Sequence, residues 1–211
     1  MKREVLRYVV ALILGIAALA KVEAQEYRYT PIEEHRPKIR TEMGVGFGGV
    51  YTGIGTLSTE GVELTPRFGF AGRLDFGVRF GRHFALETEV AYQGGSLDIS
   101  NGREERRVRT KALDIPLFAS LRLANNMVHL GVGPVFTVMS RGEYTKDGES
   151  QIFGPINPTW NVAASIGVCL AHHYLLELRY THALAETLNQ FEGEEFTTRS
   201  YRIAASFAVI F

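Results

Sequence analysis

The stretch RFGFAGRLDFGVRF, Arg67 to Phe80, limits the fold more than any other part of the chain. Its even positions are Phe68, Phe70, Gly72, Leu74, Phe76, Val78 and Phe80. Its odd positions are Arg67, Gly69, Ala71, Arg73, Asp75, Gly77 and Arg79. Strict alternation with period two is a β-strand with two unlike faces. One face is greasy and the other mixes charges with very small residues. A soluble barrel would turn the Phe face inward, and a membrane barrel would turn it outward into lipid.

The rest of the chain repeats this pattern. Alternating runs occur near Thr41–Tyr51, Arg67–Phe80, Phe84–Gly94, Lys111–Leu123, Val128–Val138, Trp160–Leu170, Tyr174–His182 and Tyr201–Phe211. Most approach the about 9–11 residues of a tilted membrane strand. Two kinds of connection alternate between them. GRH at Gly81, ANN at Ala124 and AHH at Ala171 are short turns. Glu60-Gly61, Asn101-Gly102, Asp147-Gly148 and Glu192-Gly193 are X-Gly hairpin signals set in long polar stretches, read here as loops. The expected fold is all-β, an antiparallel up-and-down transmembrane β-barrel of about eight strands. Short turns would lie at the periplasmic end and long loops outside.

An eight-stranded barrel has an interior that side chains just fill. The mixed face suits such a lumen, with Gly44, Gly46, Gly48, Ala71, Gly131, Gly133, Ala163, Ser165, Ala204 and Ser206. The greasy face would overfill it and belongs against lipid. Tyr51, Tyr92, Trp160 and Tyr201 fall near the long-loop rim; Phe80, Phe84, Tyr174 and Phe211 fall near the short-turn rim, where aromatic girdles sit. The inferred lumen then holds Glu42, Arg73, Asp75, Arg79, Glu87, Glu89, Asp114, Arg122, Glu177, Arg179 and Arg202. Buried charges need partners, so these residues are expected to form a structural ion-pair network that fills the lumen.

Lys2, Arg3 and Arg7 precede the apolar run Tyr8–Ala20, and Val22 and Ala24 fit a signal-peptidase site. Residues 1–24 are read as a cleaved signal peptide, residues 25–40 as a polar periplasmic lead-in and residues 41–211 as the barrel. The apolar run is shorter than the ~20 residues of a spanning helix, and no cysteine follows it for lipoprotein processing. Net charge is +0, which disfavours nucleic-acid binding. The single cysteine, Cys169, excludes an internal disulfide and a cysteine-based zinc cluster.

The ending RIAASFAVIF, with apolar residues at Ile203, Ala205, Phe207, Val209 and Phe211, is similar to the C-terminal signature read by the outer-membrane barrel-assembly machinery. LDIPLFASLRLANNMVHLGVGPVF, Leu113 to Phe136, resembles the central hairpin of the small outer-membrane β-barrel family common in Bacteroidota, the PorT-like group. LLELRYTHAL, Leu175 to Leu184, resembles that family's penultimate strand, with Ala183 where the family tends to place Gly. The resemblance implies an integral outer-membrane barrel and no single role.

Other motifs are weaker. GVGFGG, Gly44 to Gly49, matches G-x-G-x-x-G but lies inside a strand with no helix after it, so no cofactor is expected. His172-His173 suits a polar turn, since adjacent strand residues point to opposite faces, and no metal is expected. His182 and Ser200 lie near the outer rim, where lipid-A-modifying barrels keep catalytic residues, but no triad spacing accompanies them. NGREERRVRTK, Asn101 to Lys111, is basic and could pair with lipopolysaccharide phosphates; the segment with Glu186, Glu192, Glu194 and Glu195 is acidic. The expected function is a non-enzymatic surface scaffold or envelope-complex accessory, with outer-membrane lipid and a protein partner met through the loops. A soluble lipocalin-like binder and a lipid-A-modifying enzyme are the alternatives.

Overall fold

The computed structural model describes residues 39–56 and 62–211. Its strands are β1 (Ile39–Thr56), β2 (Glu63–Pro66), β3 (Phe68–Phe80), β4 (Phe84–Ser100), β5 (Glu105–Leu123), β6 (Val128–Lys146), β7 (Glu149–Gly154), β8 (Trp160–Leu170), β9 (Tyr174–Ala183), β10 (Thr187–Phe191) and β11 (Glu194–Ile210). Eight of them form an antiparallel ring in the order β1-β3-β4-β5-β6-β8-β9-β11, closed where β1 pairs with β11. The short β2, β7 and β10 add onto β4, β6 and β11. No helix occurs among the described residues. Each of the eight alternating runs is a ring strand. The signal segment, Glu60-Gly61 and nearly all of the lead-in lie outside the described residues, and β1 begins at Ile39, inside the segment assigned to the lead-in.

The connections at one end are tight because their residues accept left-handed backbone. Gly81, Ala124, Asn125, Asn126, Ala171 and His172 all have positive φ, between 48° and 74°. Two of these turns end on a histidine that clasps the next strand. Arg122 N donates to His83 O and Ile210 N to His173 O, each at 2.7 Å. The Nδ1 atoms of the same histidines lie 3.1 Å from Arg122 O and 3.0 Å from Ile210 O.

The greasy face points out: Phe47, Phe68, Phe70, Leu74, Leu176 and Leu178 are all at least half exposed, Phe68 reaching 82%. A soluble lipocalin-like barrel needs that face inside. Small residues permit close approach at the β1–β11 closure, where a Cβ on Gly48 would sit 2.2 Å from Ala205 O.

One expectation needs correction. Three of the stretches read as long loops are ordered extensions of the wall. β4 and β5 run on to Ser100 and Glu105, β6 continues to Lys146 and folds back as β7, and β10 folds back into β11. Asp147-Gly148 and Glu192-Gly193 are the hairpin tips, each pair with both residues at positive φ. The alternation of β6 is broken by a bulge. Leu113 pairs with Met139 but Asp114 pairs with Thr137, leaving Val138 over. Val138 and Met139 are consequently both exposed, and the inward phase changes from odd to even residues.

Candidate functional site: a braced lumen beneath an apolar cap

Inward-facing side chains stack in tiers along the barrel, because every strand offers alternate residues to the lumen. In the tier nearest the short turns, Arg122 on β5 donates from Nη2 to Glu42 on β1 at 3.1 Å and also pairs with Glu87 on β4. Arg79 pairs with the other oxygen of Glu42 at 3.3 Å. Ser120 Oγ donates to Glu87 Oε2 at 2.5 Å. Both ring nitrogens of His129 meet Arg122 Nη1, and Nε2 lies 2.9 Å from Asn126 O.

The middle tier is built on two arginines. Arg179 on β9 grips Glu89 on β4, Nη2 to Oε2 at 2.8 Å, and Glu177 at 2.7 Å. Its Cζ lies 4.8 Å above the Phe118 ring, where the guanidinium gains from the ring quadrupole. Arg73 on β3 reaches Glu177 at 2.6 Å, Asp75 at 3.2 Å and Glu89 at 3.5 Å. In the third tier Asp114 on β5 pairs with Arg202 on β11. Asp114 also accepts from Thr137 Oγ1 at 2.7 Å and from Gln93 Nε2 at 2.9 Å. Arg202 donates to Gln93 Oε1 at 2.9 Å, and Asn161 Nδ2 to Thr137 Oγ1 at 3.0 Å.

Each of these eleven charged side chains has an oppositely charged partner. Several pairs cross the lumen instead of linking neighbours. On the ring of eight, β4 and β9 are four places apart, as are β5 and β11. Among the described residues, voids of about 30 and 40 Å³ lie between these side chains, each room for a water or two. Reading charges alone missed the neutral members of the tiers: Gln93, Ser120, His129, Thr137 and Asn161. Their signal was inward phase, which they share with the charges.

Beyond the apolar band the inward face changes character. Ser200 Oγ donates to Asn157 Oδ1 at 3.0 Å, and Ser140 Oγ accepts from the backbone of Ile156 and Asn157 at 2.9 Å. Further along, Val62, Leu97, Ile99, Val108, Tyr144, Phe153, Ile156, Phe191 and Phe196 form one buried cluster. Tyr144 packs on Phe191 with centroids 5.3 Å apart, and Phe153 on Phe196 at 5.8 Å. The arms thus close over the lumen as a cap with its own core. Sequence reasoning missed this cap, although Leu97 and Ile99 simply continue the inward phase of Glu87 and Glu89.

The remaining motifs fall apart in space. Ser200 is buried on the inner face, whereas His182 stacks on Tyr180 on the outer face at 6.3 Å, so the two share no site. Gly44 to Gly49 lie within β1. His172 and His173 are turn residues. Among the described residues no group of three or more His, Cys, Asp or Glu could hold a metal. Cys169 is buried beside Leu175 and Ala208. At the chain end, Phe211 exchanges backbone hydrogen bonds with Met43, at 2.7 and 3.3 Å.

Outside the membrane band, Asp98 accepts from Arg67 Nε at 2.5 Å and Arg107 Nε at 3.2 Å. The hydrogen bond from Arg67 is the main cause that holds its carboxyl below the usual carboxylate range. Lys146 is held above the usual lysine range, chiefly by its hydrogen bond to Glu192.

A family model described as an outer membrane protein beta-barrel domain matches residues 24–189. No curated protein sequence matches the chain. Among solved structures, the neisserial surface protein NspA is similar with a TM-score of 0.54 at 12% identity, over 79% of this chain and 96% of that one. OprG, an outer membrane protein of Pseudomonas aeruginosa, is similar with a TM-score of 0.50 at 14% identity, over 85% and 99%. At such identities the likeness is one of fold.

Proposed function

The chain belongs to the family of outer membrane protein β-barrel domains, and we propose that within that membrane it serves as a non-enzymatic surface scaffold that engages partners through its arms. The observation that carries this reading is the division of the inward face. Inside the membrane band it is committed to paired charges, and beyond the band it is committed to an apolar core that fixes the arms. Among the described residues both parts are filled, the first by paired charges and the second by packed apolar side chains. A rigid, capped platform is what remains for presenting side chains outward.

The finer parts of this reading follow from the same residues. The first 24 residues direct export and are removed, and the chain end at Phe211 presents the signal for barrel assembly. The short turns face the periplasm and the arms face outward, where Arg103, Arg107 and Arg109 on the β4–β5 arm suit lipopolysaccharide phosphates. The eleven lumen charges are structural. The IPL and GVGP steps, which lie against one another on β5 and β6 where a Cβ on Gly133 would meet the Leu117 carbonyl, support placement with the PorT-like group.

The test is fractionation followed by affinity purification from detergent-solubilised outer membranes. The mature chain should be recovered in the outer membrane with Gln25 first and with a specific protein partner. Replacing residues 97–109 by an Asn-Gly turn should leave the barrel inserted and change what is recovered. A folded protein that modifies lipid A, and stops doing so with His182→Ala, would overturn the reading in favour of the enzyme.

A further inference from the structure

Two strand edges in the arms face one another without pairing. Among the described residues β7 pairs only with β6, and β10 only with β11. No backbone hydrogen bond joins β7 to β10. The edges converge at the Gly154 end of β7, where a Cβ on Gly154 would lie 2.8 Å from Asn189 Oδ1 and 2.9 Å from Leu188 O. Beyond that point lies a cleft of about 470 Å³ between the two hairpins. Lys146 pairs with Glu192 across the hairpins, and Glu192 N donates to Tyr144 Oη at 3.4 Å.

We propose that this cleft accepts an extended, basic polypeptide segment of a partner protein by strand addition between β7 and β10, an inference that rests on the scaffold reading and names its partner class. Three observations fit. Free strand edges template an added strand through main-chain hydrogen bonds. The lining is polar, with Gln151, Gln190 and Tyr144, whereas small-molecule pockets of this size are mostly apolar. In the lining Lys146 is taken by Glu192, which leaves the carboxylates of Asp147 and Glu149, and Glu194 and Glu195 stand beyond the lining on the β10–β11 hairpin. The charge therefore selects a cationic guest. Ile152 and Leu188, 65% and 57% exposed, offer one apolar contact on each edge, which suits a guest whose outward side chains alternate with its charges.

The experiment uses the full chain folded in phospholipid nanodiscs. The probe is a short alternating Lys–Val peptide, with a Glu–Val peptide and a backbone N-methylated Lys–Val peptide as controls. Binding is read by fluorescence, and amide hydrogen exchange is followed in residues 149–154 and 187–191. The Lys–Val peptide should bind and slow exchange in both edges. N-methylation should weaken it at least about tenfold, the effect of losing one or two hydrogen bonds. A Glu149→Gln, Glu194→Gln, Glu195→Gln variant should bind more weakly while keeping its heat-resistant folded form on a gel. The proposal is overturned by no binding, by equal binding of the N-methylated peptide, or by binding that leaves both edges unprotected. It is also overturned if a neutral oligosaccharide or a second copy of the chain, and no peptide, protects them. In any of these cases recovery of a partner that depends on residues 97–109 would still support the scaffold reading.

Discussion

Arg179 reaches across the lumen to Glu89, from β9 to the strand four places away on the ring, with Nη2 2.8 Å from Oε2. Both side chains are nearly buried. Removing one partner of a buried pair leaves an uncompensated charge, at a cost of about 3–5 kcal/mol. Arg179→Ala should lower the urea midpoint of the micelle-folded barrel accordingly and weaken its heat-resistant gel form. The double change Arg179→Met, Glu89→Leu should recover much of that loss, because an apolar pair of similar volume replaces an ion pair at little net cost.

The outward face predicts a different response. Phe76 and Leu117, 40% and 44% exposed, sit within the apolar band. Phe76→Arg or Leu117→Arg should impair folding into lipid vesicles by about 2–4 kcal/mol. Insertion as efficient as that of the unaltered chain would mean that these side chains do not meet lipid.

The cap should come apart separately from the barrel. Phe153 and Phe196 are each 1% exposed, and truncating a buried Phe to Ala costs about 3–5 kcal/mol. Phe153→Ala should make the arms sensitive to limited proteolysis while the membrane-spanning strands stay protected. Cleavage within the barrel strands would show instead that cap and wall unfold together.

Glycine positions give a paired comparison. A Cβ on Gly133 would fall 1.9 Å from the Leu117 carbonyl oxygen, whereas one on Gly72 meets nothing within 4 Å. Gly133→Ala should force the backbone to shift, costing about 1–3 kcal/mol or more. Gly72→Ala should fold as well as the parent or slightly better. Folding yields in the same detergent compare the two directly.

Asp98 should make the β4–β5 arm sensitive to acid. Its folded-state pKa is depressed, so its contribution is present above the ordinary carboxylate value of about 4 and is lost as pH falls through the depressed value. Proteolysis of the β4–β5 arm should therefore quicken at low pH, and Asp98→Asn should remove that part of the pH dependence. High salt should have a similar, weaker effect, since both arginine partners are exposed.

The wall was legible in the sequence because one physical signal, period two, governs it throughout. Phe68 to Phe80 declares two faces, and the small size of Gly44, Gly46 and Gly48 declares which one is crowded. The eleven lumen charges were legible for the same reason: each shares the phase of a glycine or alanine on its own strand. The arms were not. Gly94-Gly95 removes the side chains that would carry β4 forward, and the bulge at Val138 reverses the phase of β6. Above these breaks the inward residues turn apolar, so Leu97, Val108 and Phe196 resemble scattered loop hydrophobics until the strands are paired. The β7–β10 cleft depends on how two hairpins lean together, which no local pattern records.

The cross-lumen pairs also set an order of events. Arg202 with Asp114, Arg73 with Glu177 and Arg122 with Glu42 each link strands three or four places apart on the ring. No hairpin can make them, so each needs the sheet to have curled far enough to bring distant strands face to face. Until then these arginines and carboxylates keep their hydration. Contacts made only after the transition state slow unfolding without speeding folding. Spokes that form only as the ring curls should therefore show in the rate at which the barrel opens more than in the rate at which it forms, a matter of kinetic persistence in the membrane.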